Sequence, residues 1–421
     1  MAMLILLVLL IFFAALGVPL AFAIGASCVS YILIYAPNFI AMLPQRVWNG
    51  AYSELMIAMP LFMLAGELMN TGGITQRIIN FCMELLRPVR GGLGEVNIVA
   101  SMIFGGISGS SVADTSALGS ILIPAMEKEG YPPEASAGIT VASSTMGMII
   151  PPSTPMIVYS MISGASVGAL FMAGAVPGIL IGLTQLVLVY IISAKKGWHP
   201  AKAKFDAKRA AKSLLSGIPA LIMPVFIIIC VSFGVCTASE SAGVAVLYSI
   251  LVGFFVYKEL TPATIYDALR ESVLVNGQTM FLVGFSMGFA RFLTMSQIPA
   301  SIAAKIGAID SKVVVFLMIN LFLLIVGCFI DNISSMLILT PIFLPIVQSY
   351  GMTPVQFGIV MTVNLCIGFI TPPYGANLFI ASAISDVPIM NIAKKIMPMI
   401  GAMLIVLMLL TFIPALSTFA L

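Results

Sequence analysis

Two proline pairs, and the oxygen-bearing residues around them, are the part of this sequence equipped for chemistry. Pro151-Pro152 lies in SSTMGMIIPPSTP and Pro372-Pro373 lies in VNLCIGFITPPYGAN, each inside a run apolar enough to enter a bilayer. Proline has no N–H, so within a helix it frees the carbonyl four residues earlier. The first pair frees Gly147 and Met148; the second frees Gly368 and Phe369. A carbonyl left bare in lipid is costly unless something meets it. A dehydrated alkali cation is a natural partner, because it takes oxygen ligands and needs no formal anion. Unwound helix backbone holds sodium in this way in transporter folds. The alternative is a plain kink, its carbonyls met by hydroxyls and water. The recurrence of the pair favours the ion.

Hard oxygen donors crowd the same two regions. GGISGSSVADTS (105–116) offers Ser108, Ser110, Ser111, Asp114, Thr115 and Ser116; GCFIDNISS (327–335) offers Gly327, Asp331, Asn332, Ser334 and Ser335. Beside the proline pairs stand Ser143, Ser144, Thr145, Ser153 and Thr154 in one case, and Asn364, Thr371 and Asn377 in the other. The expected sodium ligands are Ser108, Ser110, Asp114, Gly147, Met148 and Pro151, with Gly327, Asp331, Asn332, Gly368, Phe369, Thr371 and Pro372. The expected substrate contacts are Ser111, Ser153, Thr154, Ser334, Ser335, Asn377 and Arg291. An aspartate within a membrane is expensive, which makes Asp114 and Asp331 functional candidates. They either ligate an ion directly or position the loop that does; capping a half-helix is the structural alternative. Half-helix N-termini that meet in the membrane also attract an anion. Arg291, in FARFLTMSQIP, has the fork to grip a carboxylate. Shifted by 224 residues it coincides with Glu67, so an ion pair between the two is the other option.

These residues need helices to position them. The chain has 421 residues, 60% of them hydrophobic and 8% charged, with a mean hydropathy of +1.13. Soluble domains carry about 25% charged residues. Such a chain is a polytopic membrane protein, all-α because lipid demands internal satisfaction of the backbone. Apolar runs fall at about 3–24, 25–42, 54–71, 93–126, 135–163, 166–194, 215–235, 240–257, 272–295, 312–345, 355–384 and 392–418. Runs of this length exclude a β-barrel, whose strands are short and alternating. Segments 93–126 and 312–345 are apolar at both ends and polar in the middle. A re-entrant hairpin with a shielded tip explains each one; a kinked span with a small-residue face is the alternative. The proline pairs are 221 residues apart, and Gly106, Pro124, Gly130, Pro133 and Gly147 then fall on Gly327, Pro345, Gly351, Pro354 and Gly368. The expected organisation is two inverted repeats, 1–194 and 215–421, each with a hairpin and a broken helix (135–163 and 355–384). Residues 195–214 join them. That connector is rich in lysine, which places it in the cytoplasm.

Six dispersed cysteines without CxxC spacing argue against disulfide or zinc scaffolds. His199, the sole histidine, falls in the connector, which leaves little for imidazole chemistry in the membrane. No organic cofactor and no nucleic acid is implied; lipid is the obligatory partner. The N-terminus lacks the basic region and cleavage site of a secretory signal and reads as the first membrane helix. Thr237-Ala-Ser-Glu240 has the form of a capping box. Two membrane carboxylates also admit an intramembrane aspartyl protease. Neither lies in a GxGD-like setting, and that reading leaves the proline pairs unexplained.

In MPLFMLAGELMNTGGI (59–74), GGISGSSVADTSALGSILIPAMEKEGYPP (105–133), IIPPSTPMIVY (149–159), LFMAGAVPG (170–178), TASESAGVAVLYS (237–249), LILTPIFLPI (337–346) and GFITPPYGANLFI (368–380) the chain resembles the large membrane subunit of TRAP transporters. These motifs span nearly the whole chain in family order. The resemblance implies a sodium-driven importer in the bacterial inner membrane, not an enzyme. It implies a small four-helix membrane subunit and a periplasmic substrate-binding protein as partners. It implies an elevator, in which a transport domain of hairpins and broken helices slides against a scaffold. Sodium sites are then expected where Ser108–Asp114 meets Gly147–Pro151 and where Asp331–Ser335 meets Gly368–Pro372. Two departures stand out: Ala238 where many relatives carry proline, and DNISS where many have a proline after the aspartate. The DNISS tip and Arg291 point to sialic acid as the organic acid, with a C4-dicarboxylate next. No Walker A motif occurs, as coupling to an ion gradient requires. A binding-protein-independent sodium/anion symporter or uniporter of the same fold is the alternative.

Overall fold

The computed structural model describes residues 2–35, 37–86, 88–198, 206–295, 306, 309–373 and 375–418. His199, Lys202 and Lys204 of the connector lie outside them. The described residues form helices and no strand. In the first half, α1 (Ala2–Ala15), α2 (Leu20–Tyr35), α3 (Met42–Ala51), α4 (Glu54–Thr71) and α5 (Ile74–Leu86) precede α6 (Gly92–Ser108) and α7 (Ser111–Lys128). Then come α8 (Pro133–Ser144), the single turn α9 (Met146–Ile149), α10 (Thr154–Ser163) and α11 (Val167–Lys196). The second half holds α12 (Ala207–Ser232), α13 (Ala238–Leu251), α14 (Pro262–Met295), α15 (Lys312–Gly327) and α16 (Asn332–Ser349). It ends with α17 (Pro354–Phe369), α18 (Ala376–Ser385), α19 (Ile389–Phe412) and the short α20 (Ala415–Thr418).

Six of these helices are long and apolar enough to cross a bilayer, or seven if 37–51 and 54–71, which meet at 46°, count as one span. The hairpin arms and broken-helix halves are mostly shorter. Helices α3 and α5 fall outside the apolar runs, because each is apolar on one side only. In α5, Ile74, Ile78 and Cys82 are buried, while Gln76 and Asn80 bond to each other at 3.0 Å on the outer face.

Each break has a local cause. Ser108 ends α6, Gly109 takes a left-handed conformation, and Ser110 caps α7 by accepting from the Ala113 N–H at 3.4 Å. At the equivalent place in the second half, Asp331 caps α16 by accepting from the Ser334 N–H at 3.1 Å. Such caps satisfy donors that lipid cannot. The arms of each hairpin pack on one another. At the proline pairs the helix stops after Ile149 and after Phe369, and resumes at Thr154 and at Ala376. Thr237 and Glu240 form the expected capping box. Lys195 and Lys196 are the last turn of α11, and Asp206 caps α12, so part of the basic segment 195–214 is helix end rather than linker.

The two halves interlock. Helix α10 packs on α16 and α18 packs on α7, so the far half of each broken helix rests on the other half's hairpin. Likewise α8 packs on α19 and α17 on α11; on the outer side α4 packs on α13 and α2 on α14. Small residues let backbones approach. A Cβ on Gly105 would lie 2.9 Å from the Gly147 Cα, and one on Gly327 would lie 3.1 Å from the Gly368 Cα. Polar pairs join arm to broken helix in both halves. The Asn97 amide donates to Thr140 Oγ1 at 2.6 Å, and the Asn364 amide donates to Asn320 Oδ1 at 2.7 Å.

Tyr159 links the halves directly. Its ring is fully buried, sits 6.3 Å from Phe357, and fills the space left by Gly358, while its hydroxyl donates to the Pro354 carbonyl at 2.6 Å. Tyr159→Phe is expected to cost about 1 kcal/mol, the net worth of one hydrogen bond. Tyr159→Ala is expected to cost about 3–5 kcal/mol through the cavity it leaves. Equilibrium unfolding in detergent checks both values, and equal losses would rule out the packing role of the ring.

Candidate functional site

Both hairpin tips and both broken helices open onto one cavity of about 600 Å³. From the first half it is lined by Ser108 to Ala113, Met148, Thr154 and Pro155, and from the second by Asp331, Asn332, Ile333 and Phe369. The opposite wall belongs to α4 (Met63, Gly66, Glu67, Asn70) and α14 (Glu271, Ser272, Val275, Thr279). The spacing of those wall residues places each set on one helix face. No lysine or arginine lines the cavity among the described residues, while Glu67, Glu271 and Asp331 do.

Behind the first tip lies Asp114, with no exposed surface. The Ser108 hydroxyl donates to its Oδ1, and Oδ2 has no hydrogen-bond partner. The place a Cβ would take on Gly147 touches Asp114 Oδ2 and lies 3.1 Å from the Ser110 carbonyl oxygen. A carboxylate oxygen and a backbone carbonyl thus converge on a glycine of the broken helix. Burial of an unpaired carboxylate oxygen is expensive. The donor set is hard and anionic, the kind an alkali cation takes. Sodium fits these residues, with Asp114 Oδ2 and the Ser110 carbonyl as the oxygens that would hold it.

The second tip is built differently. Asp331 accepts from the Ser334 hydroxyl and N–H, so its carboxylate serves the cap while facing the cavity. Deeper in, the Asn332 amide donates to Met148 Sδ at 3.0 Å and Cys366 Sγ at 3.5 Å. That leaves the Asn332 Oδ1, Ser335 Oγ and Asn364 Oδ1 atoms buried without partners. The two aspartates therefore are not counterparts. Under the 221-residue shift Ser110 corresponds to Asp331, and Asp114 to Ser335. One junction holds a buried carboxylate; the other holds neutral oxygens.

The freed-carbonyl expectation needs correction at two positions. The Met148 carbonyl accepts from the Ser153 hydroxyl at 2.5 Å, and the Gly368 carbonyl accepts from the Thr371 N–H at 2.9 Å. Each retains one lone pair. Ser153 also caps α10, and the Thr154 N–H donates to the Gly109 carbonyl at 3.4 Å, tying break to tip. The Thr371 hydroxyl donates to the Ile367 carbonyl at 2.6 Å. Gly147, Gly327 and Gly368 are positions of close backbone contact, and neither they nor Pro151 and Pro372 line the cavity.

Five expected substrate contacts do not line the cavity: Ser153, at the first break, and Arg291, Asn377, Ser334 and Ser335. Arg291 is exposed and lines no part of the cavity, because α14 turns Gly288, Phe289, Phe292 and Leu293 inward and leaves 291 on the opposite side. Its expected ion pair with Glu67 is not formed. Asn377 is fully buried; its amide donates to Ser111 Oγ and, at 3.2 Å, to Ser144 Oγ, while Thr115 donates to the same Ser144 at 2.6 Å. This knot joins hairpin, first broken helix and second broken helix. Ser334 is engaged with Asp331, and Ser335 lies behind it. Sequence reading missed the wall formed by α4 and α14. Glu67 with Asn70 in an apolar run, and polar residues 271, 272 and 279 along one face, were the available signal.

Comparison with known proteins bears on this arrangement. The profile of the family described as "Tripartite ATP-independent periplasmic transporter, DctM component" matches residues 7–416. The C4-dicarboxylate TRAP transporter large permease protein DctM of Pseudomonas aeruginosa is 37% identical over 94% of this chain and 92% of its own. The isethionate TRAP transporter permease protein DctMQ of Oleidesulfovibrio alaskensis is 37% identical over 97% of this chain, which spans 64% of that protein's length. Among solved structures, the Alcanivorax borkumensis YdaH transporter has a similar fold, with a TM-score of 0.66 at 15% identity over 97% of this chain and 98% of its own.

The close fit at Gly147 is testable. Gly147→Ala places a methyl group against the Asp114 carboxylate and should destabilise the protein by about 1–3 kcal/mol. Gly368→Ala meets the Gly327 backbone and should do the same. Thermal unfolding of both variants decides; wild-type midpoints would refute the packing of either junction.

Proposed function

This chain belongs to the DctM component family of TRAP transporters, and on that premise we propose a sodium-driven permease that carries a small organic acid by an elevator motion. It is a large permease subunit and a multi-pass protein of the inner membrane, not an enzyme. The observation that carries the sodium reading is Asp114: a fully buried carboxylate with a free Oδ2, facing a glycine of the broken helix beside the Ser110 carbonyl. The second sodium site is read at Asn332, Ser335 and Asn364, where three oxygens lack partners.

The cavity supports sodium coupling in a second way. An organic anion that enters meets Glu67, Glu271 and Asp331 and, among the described residues, no cationic side chain. Coulomb repulsion in a low-dielectric pocket disfavours that encounter. Sodium bound behind the tips offsets it, so anion affinity follows ion occupancy. The N-termini of α7 and α16 both border the cavity, and their dipoles favour the anion further. Seryl, threonyl and backbone groups at the tips are then the hydrogen-bond donors to the substrate, with Ser110, Ser111, Thr154 and Asn332 nearest the cavity. The named relatives take a C4-dicarboxylate and isethionate, both small organic anions. With Arg291 outside the cavity, the DNISS tip alone favours sialic acid over a C4-dicarboxylate.

The interlocked packing of α10 on α16 and α18 on α7 supports inverted repeats whose hairpins and broken helices move together as one transport body. Helices α4 and α14 supply the static wall. A small four-helix membrane subunit and a periplasmic binding protein are the partners this reading requires.

Uptake by proteoliposomes that contain both membrane subunits and the binding protein tests the proposal. Organic-acid uptake should require an inward sodium gradient. Asp114→Ala should lower initial rates by two orders of magnitude or so, the cost of an unmatched site where a buried charge was used. Asp331→Ala should act mainly on substrate KM, because that side chain faces the cavity. Full, sodium-independent uptake by Asp114→Ala would refute the site, and uptake without binding protein would favour an independent symporter.

A further inference from the structure

A second polar cluster lies far from the hairpin tips, at the base of the first hairpin. Glu95 is in the first turn of α6 and is 4% exposed, and its Oε1 has no hydrogen-bond partner. Ser193, near the end of α11, is fully buried, and its Oγ is also unpartnered. The two approach one point. From where a Cβ would sit on Gly91, Ser193 Oγ is 2.7 Å away and Glu95 Oε1 is 3.7 Å away. They do not bond to each other. Tyr131 closes the cluster: its hydroxyl accepts from the Gly94 N–H at 3.4 Å and lies beside Glu95 and Ser193, short of hydrogen-bond geometry with the latter. Burial pushes the Tyr131 phenol up to about 12, so it remains neutral.

Several possible neutralisers are missing. Arg90, Lys195 and Lys196 are exposed, and none pairs with Glu95 among the described residues. A carboxylate in the first helical turn is favoured in its ionised form by the free N–H groups and the helix dipole. Burial without a countercharge opposes that form. A small cation seated between the two oxygens satisfies both groups and supplies the countercharge.

We propose that Glu95, Ser193 and Tyr131 form a sodium site at the base of the first hairpin, separate from the sites behind the hairpin tips. Its ligands come from α6, from α11 and from the loop between α7 and α8. An occupied site would therefore fasten the hairpin base to the helix that leads into the basic connector. The donors are a carboxylate and two hydroxyl oxygens, a hard set that suits an alkali cation over a soft metal.

Trp198 provides a reporter, because its ring lies 5.5 Å from that of Tyr131. The chain has two tryptophans, so Trp48→Phe leaves Trp198 alone. The full-length protein in this background is titrated with sodium chloride against choline chloride at constant ionic strength and fixed pH. A saturable emission change is expected that persists in Asp114→Asn. In Glu95→Gln its midpoint should rise on the order of tenfold or more, and in Ser193→Ala by a smaller factor. The proposal is overturned by an absent sodium response, by one unchanged in Glu95→Gln, by one lost in Asp114→Asn, or by emission that follows pH and ignores sodium. The Ser193→Ala titration holds the test open if Glu95→Gln does not fold.

Discussion

A membrane gives the backbone nowhere to put an unmatched carbonyl or N–H. This protein interrupts its helices at four places inside an apolar body, and each interruption is repaired by something specific. Ser110 and Asp331 cap the arms of the hairpins. The Ser153 hydroxyl meets Met148, and the Thr371 N–H meets Gly368. The repairs stop short of complete. Asp114 Oδ2, Asn332 Oδ1, Ser335 Oγ and Asn364 Oδ1 stay bare at the same junctions. What the fold leaves unmatched there is what an ion can match.

The interlock of the halves follows from the same constraint. A re-entrant tip cannot face lipid, so it must be covered by protein. Each broken helix sends its far half onto the hairpin of the other half, and Asn377 and Asn332 reach across to Ser111 and Met148. The tips are thus buried by each other's partners. Glycines at 105, 147, 327 and 368 permit the required closeness, and a methyl at any of them would collide with backbone or with the Asp114 carboxylate. Close backbone packing and unpartnered oxygens thus fall at the same junctions.

The two junctions are not alike. The two aspartates looked equivalent as isolated carboxylates in apolar runs. In space Asp114 is sealed one turn inside α7, and Asp331 is a cap at the mouth of α16 that faces the cavity. The carboxylate in the second half has moved to the position of Ser110 in the first. Carboxylate charge therefore lies behind one tip and before the other.

Much of this was readable from the chain. Apolar length set the helical membrane class, because lipid allows little else. The helices do break where the polar interruptions and proline pairs stand, after Ser108, Ile149, Gly327 and Phe369, since proline and glycine act through the local backbone. Caps such as Thr237 with Glu240 were legible for the same reason. What lay beyond reach depended on contacts distant in sequence. Arg291 read as a substrate contact because it stands in an apolar run, yet the side of α14 it occupies was decided by packing against other helices. Glu67 and Glu271 became one wall of the cavity only when α4 and α14 came together around the tips. Which oxygens would remain without partners was likewise settled by the tertiary structure, because a hydrogen bond forms between groups that the fold, and not the spacing, brings within reach.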